Sequence, residues 1–96
     1  MDREAALAWA GTVRRVRGEV LGEVESGSVS LEEVLGRAQE DPFVGMIHVL
    51  DVVEALPGWG KVVCRRTLGE LGIGHHTPVS EVDSGTLRRA FAQAPA

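Results

Sequence analysis

Leu56-Pro57-Gly58-Trp59-Gly60-Lys61 separates one run of helical periodicity from the next. Upstream, Leu50, Val53 and Leu56 recur at helical spacing and predict a helix over about 49–56. Downstream, Lys61 to Leu71 predicts another, stopped at Gly72, which suits a left-handed cap with Ile73 as the apolar residue after it. Two glycines around one apolar residue let the backbone turn sharply and approach another molecule without a Cβ in between. The first N–H groups of the helix that follows have no intrahelical partner and carry the positive end of its dipole, which suits an anion. Lys61 falls in that first turn, where a cation disfavours the helix itself by a few tenths of a kcal/mol. Its position is explained if a phosphate is expected there. Arg65 lies four residues on, with Arg66 beside it. Gly58, Gly60, Lys61, Arg65 and Arg66 are therefore the candidate contacts to one or two adjacent backbone phosphates, with Trp59 at the hairpin tip a further candidate contact. The competing reading is a plain helix–helix turn followed by a solvated basic face.

Outward from this stretch the chain reads as all-α. Ala5, Ala8, Trp9, Val13, Val16, Val20 and Val24 predict a long amphipathic helix over about 2–25, with Gly11, Gly18 and Gly22 weakening it and fraying expected near its start. Ser26-Gly27-Ser28 is a turn. Ser30-Leu31-Glu32-Glu33 has the form of a capping box, opening a helix to about Gln39. Asp41-Pro42 is a stop and restart, because proline disfavours helical geometry in the residue before it. Phe43, Val44 and Met46 lead into the helix before the hairpin. Thr77-Pro78 predicts a cap with proline in the first turn, giving a short turn to Val82, and a last helix spans about 84–93. The expected organisation is one structural domain, with residues 1–27 as N-terminal helix and turn and 28–96 as a compact core of short helices.

Ninety-six residues with 44% apolar content support one modest core, and 4% aromatic content leaves it to Leu, Val and Ala. No apolar run approaches the ~18 residues of a membrane span. The start Met1-Asp2-Arg3-Glu4 lacks the layout of a signal peptide, so a cytoplasmic protein is expected. The single cysteine, Cys64, excludes an internal disulfide and reads as a buried small apolar residue. The net charge of −4 argues against indiscriminate adhesion to nucleic acid. That charge is uneven: residues 1–48 hold five Arg against nine carboxylates, residues 49–96 balance five against five, and 57–68 hold three cations and no acid.

Gly45-Met46-Ile47-His48-Val49, Glu54 through Val62, and Glu70-Leu71-Gly72-Ile73 resemble the central motif of the actinobacterial integration host factor family, small nucleoid-associated DNA-binding proteins. The likeness runs in order and spacing from about Val13 to Phe91, with Leu31 to Leu35 matching the second helix, and is most specific from Glu54 to Ile73. It implies a long N-terminal helix followed by a helix-two-turns-helix core, and a cytoplasmic, nucleoid-associated role. The Leu-Pro-Gly-x-Gly core also resembles the helix-hairpin-helix of DNA repair proteins, in which Cys64 takes the small-residue position that lets two helices approach. Both resemblances imply double-stranded DNA as partner, gripped by its backbone; the residues themselves assemble no catalytic or ligand constellation, so no enzymatic activity, cofactor, small-molecule substrate or membrane is expected.

The departures weaken that expectation quantitatively. Where the family has a basic, glycine-containing second DNA contact, this chain reads Thr77-Pro78-Val79-Ser80-Glu81-Val82-Asp83, and lysines expected near Met46, His48 and Val63 are missing. At a salt exponent of about 0.9 per phosphate, losing two or three contacts weakens binding by roughly one to two powers of ten. Trp59 stands where the family commonly carries a smaller apolar residue; at the hairpin tip it either wedges into the minor groove or stacks on a base, or else packs on the preceding helix. Arg14, Arg15 and Arg17 form a secondary cationic patch that either crosses the duplex or pairs with glutamates of its own helix. His75-His76 with Cys64 matches no zinc spacing and reads as an exposed turn, and Asp51 with Glu54 lacks the companions of an acid–base site. A rival reading, favoured by the acidity, is a protein-interaction module that docks through Trp59 and the apolar residues of the first helix.

Overall fold

The computed structural model describes residues 2–95, which form six α-helices and one 3-10 turn. Helix α1 spans Arg3–Glu25, α2 Leu31–Glu40, α3 Pro42–Gly45, α4 Val49–Ala55, α5 Lys61–Glu70 and α6 Ser84–Ala90, with the 3-10 turn at Val79–Glu81. The all-α expectation is met, as a long first helix followed by a core of short ones.

Asp2 caps α1 by accepting from Ala5 N at 2.7 Å, and the helix is continuous from Arg3. Of its 23 residues only Val20 and Val24 are buried, and the helix packs against α3 and α4. Ser30 caps α2 as expected, accepting from Glu33 N at 3.1 Å. Glu33 does not reach back to the Ser30 backbone; its carboxylate accepts from the Ser30 hydroxyl at 3.3 Å. Asp41 accepts from Phe43 N at 2.9 Å, so the Asp41-Pro42 restart is a capped single turn with proline in its first position.

Gly45 is required where that turn meets its neighbours. A Cβ there would lie 2.8 Å from the Ala38 carbonyl oxygen and 3.0 Å from Ser80 Cβ. The segment after α5 then closes over the start of α4, which no side chain caps. Val49 N donates to Thr77 O at 2.8 Å, Leu50 N to His75 O at 3.2 Å, and Val79 N to Ile47 O at 2.8 Å. The first two bonds supply partners for donors that a helix start leaves free, and the third ties the 3-10 turn to the residue before α4's cap. They also correct the expectation for Thr77-Pro78. Thr77 contributes its carbonyl to α4, and Pro78 is the residue before the 3-10 turn instead of the first one in it.

The core gathers Val24, Val34, Val49, Val52, Val53, Leu68, Val79 and Leu87, all fully buried, with Ala38 and Ala55 also buried, in keeping with a core mainly of Leu, Val and Ala. The last helix is shorter than its periodicity suggests. It ends at Ala90 because Phe91 leaves helical geometry, at φ −115° and ψ 23°, and turns into the core.

Candidate nucleic-acid interface

Helices α4 and α5 are joined by Leu56–Gly60, where Gly58 and Gly60 take φ of +84° and +73°. Only glycine adopts such conformations without strain. Gly60 is the N-cap of α5, and no side chain accepts from the N–H groups of the first turn. Nothing lies within 4 Å of where a Gly60 Cβ would stand, so this side of the hairpin is open. The far end of α5 closes as expected. Ile73 N donates to Leu68 O at 2.9 Å and Gly72 N to Gly69 O at 3.1 Å, with Gly72 at φ +72°.

Cys64 sits where the two helices meet. It is fully buried, and its thiol donates to Val53 O at 3.3 Å. Burial, with the Glu54 carboxylate adding to it, pushes the thiol up to about 11, so it is protonated and unreactive at neutral pH. The reading of Cys64 as a small packing residue is met.

The cations are not equivalent. Lys61 and Arg66 are exposed, with no carboxylate within ion-pair distance among the described residues. Arg65 is turned toward α4, its Nε 3.4 Å from Glu54 Oε1. That oxygen is buried and has no aligned hydrogen bond, so proximity to Arg65 is what offsets its charge. A basic face clear of acid holds in the sequence window but not in space: Lys61 borders a groove whose other walls include Glu25, Asp51 and Glu54. Val62, which the sequence did not single out, is the most exposed large apolar residue of the face at 77%.

Trp59 is not an exposed tip. It is 9% exposed and lies on Phe91, ring centroids 4.5 Å apart at 52°. The packing partner is this C-terminal aromatic, and the indole would have to leave the core to wedge into a base step. Trp59 is therefore also unavailable to a protein-docking face. On α1, Arg15 pairs with Glu19 of the same helix at 3.3 Å. Arg17 pairs with Asp51 of α4 at 3.0 Å, which sequence spacing did not indicate. Arg14 has no such partner among the described residues. His76 is exposed, its ring 5.0 Å from that of His48, whereas His75 is half-buried with Nε2 3.3 Å from Arg65 O. No group of three or more metal-ligating side chains stands together among the described residues, and no described helix is long and apolar enough to cross a membrane.

The family described as "S13-like H2TH domain" matches residues 24–80. The integration host factor of Streptomyces coelicolor is 36% identical over 93 residues, covering 94% of this chain and 87% of that protein. The chain belongs to the actinobacterial integration host factor family. Integration host factors of Mycolicibacterium smegmatis and Mycobacterium tuberculosis are each 38% identical over 72 residues, 75% of this chain and 69% of theirs. A solved structure of sIHF bound to an 8-base-pair palindromic DNA superposes with a TM-score of 0.80 at 32% identity, covering 88% of this chain and 98% of that one. Within the family this chain is an acidic member, at net −4.

Proposed function

We propose that this integration host factor relative is a non-enzymatic architectural protein of the nucleoid that binds double-stranded DNA by its backbone. The observation that carries the reading is the open, uncapped start of α5, with Gly60 at positive φ and Lys61 and Arg66 exposed and unpaired among the described residues. The N–H groups of that turn and Lys61 hold one phosphate, and Arg66 a neighbouring one. Arg65 joins when a phosphate replaces Glu54 as its counter-ion. Gly58 shapes the hairpin, and Trp59 supports it from inside. The family likeness and the DNA-bound structural relative support the same reading.

Fluorescence anisotropy with a labelled duplex tests it. With two or three phosphate contacts, affinity falls about 10- to 40-fold between about 50 and 200 mM salt. Lys61→Glu combined with Arg66→Glu weakens binding by at least about fiftyfold near 0.1 M salt, since two contacts are lost. No wild-type binding at the lower salt refutes the proposal. The protein-docking alternative retains Trp9, 45% exposed beside a groove of about 290 Å³ lined by Val13, Phe43, Met46 and Ile47, and absence of DNA binding would direct attention there.

A further inference from the structure

The hairpin rests on the C-terminal end of the chain. Trp59, between the two glycines, packs on Phe91 with centroids 4.5 Å apart, and both rings are buried. Gly58 adds a second point of contact: a Cβ there would lie 3.2 Å from Ala94 Cβ. Leu56 and Pro57 share the wall of an apolar groove with Phe91 and Ala92. Gly60, by contrast, faces open space. One side of the hairpin is thus seated on residues 91–94, and the other is left free.

That seat matters because the hairpin has little to hold it by itself. Two of its residues are glycines at positive φ, whose ordering costs more conformational entropy than that of any other residue. The hydrogen bond closing it, Trp59 N donating to Leu56 O, is long at 3.4 Å. A bulky aromatic pair fixes the turn before a ligand arrives, so that binding need not order it.

We propose that Phe91 is a positioning residue for phosphate binding, acting through Trp59 to aim the first turn of α5 and Lys61 at one backbone phosphate. The inference rests on the reading of the hairpin as the phosphate-binding element. It assigns to the C-terminal segment a part in DNA affinity although neither aromatic ring touches DNA.

The test compares Phe91→Leu, Trp59→Val and Trp59→Phe with wild type, by duplex anisotropy over about 50 to 200 mM salt. Phe91→Leu loses one phosphate contact, so affinity drops about eightfold near 0.1 M salt and the slope of log affinity against log salt becomes shallower by about 0.9. Trp59→Val removes the pair from the hairpin side with the same expected result, and serves if Phe91→Leu does not fold. Trp59→Phe keeps an aromatic pair and retains wild-type affinity and slope. A drop in affinity at unchanged slope means only a smaller folded fraction and overturns the proposal, as does no change at all. Failure of the underlying reading looks different: Lys61→Glu then leaves binding unaffected. If Lys61→Glu weakens binding while Phe91→Leu is neutral, the hairpin reading stands and the positioning role falls.

Discussion

Glu54 decides what Arg65 is free to do. Its Oε1 is buried without an aligned hydrogen bond, and the Arg65 guanidinium 3.4 Å away offsets the charge. A phosphate at the start of α5 therefore competes with a carboxylate for Arg65 and is repelled by the same carboxylate. Glu54→Gln removes both effects. The expected outcome is duplex binding tighter by about three- to eightfold near 0.1 M salt, with a slope steeper by up to about 0.9, as Arg65 becomes one further phosphate contact. Thermal stability should shift by no more than about 1–3 kcal/mol: the Arg65 side chain is 58% exposed, but the Glu54 oxygen is buried and the amide that replaces it needs a partner there. Anisotropy of the variant checks this, and unchanged or weaker binding would show that Arg65 is not held in reserve. The sequence concealed the pairing because Glu54 lies outside the acid-free window of 57–68 and reaches Arg65 only once the hairpin folds the two helices together.

At the scale of elements, glycines that look alike in the sequence have opposite consequences. Gly18 lies inside α1 with nothing within 4 Å of where a Cβ would stand and no positive φ, so it serves no steric purpose there. Gly18→Ala should stabilise by up to about 1 kcal/mol, raising the melting temperature by about 4–8 °C for a domain of this size. Gly60 has equal space but φ of +73°. Gly60→Ala forces an L side chain into a conformation costing about 1–3 kcal/mol, or moves the start of α5. It should lower the melting temperature and also weaken duplex binding; a Gly60→Ala protein that melts and binds like wild type would deny the turn its role. Helix starts and stops with local causes were readable: the Ser30 cap, the Asp41-Pro42 restart and the Gly72 closure all rest on neighbours within a few residues. The end of α6, the capping of α4 by the 75–77 carbonyls and the burial of Trp59 were not, because each depends on a partner about 30 residues away. A tryptophan between two glycines carries no local sign of which side it faces.

On the scale of the whole molecule, the question is whether a net charge of −4 acts as a field or through particular contacts. The protein is elongated, 48 × 27 × 23 Å, with α1 along one side. Arg14, Leu21 and Glu25 follow one another at steps of seven and four, hence on one side of that helix. Leu21 and Glu25 line the groove that Lys61 borders, so Arg14 stands on the same side about 10 Å farther along the axis, at 1.5 Å per residue. If a duplex whose backbone meets α5 also runs along this side of α1, Arg14 is a third contact. Arg15 points elsewhere on the helix and is paired with Glu19. Arg14→Ala and Arg15→Ala each change the net charge from −4 to −5, so a repulsive field treats them alike. A contact does not. Arg14→Ala should cost about eightfold in affinity near 0.1 M salt and flatten the slope by about 0.9, while Arg15→Ala leaves the slope at its wild-type value. Parallel salt titrations of the two variants decide it. Equal losses would assign the effect to net charge and confine the DNA contact to α5, whereas a flattened slope for Arg14→Ala alone extends the contact along α1.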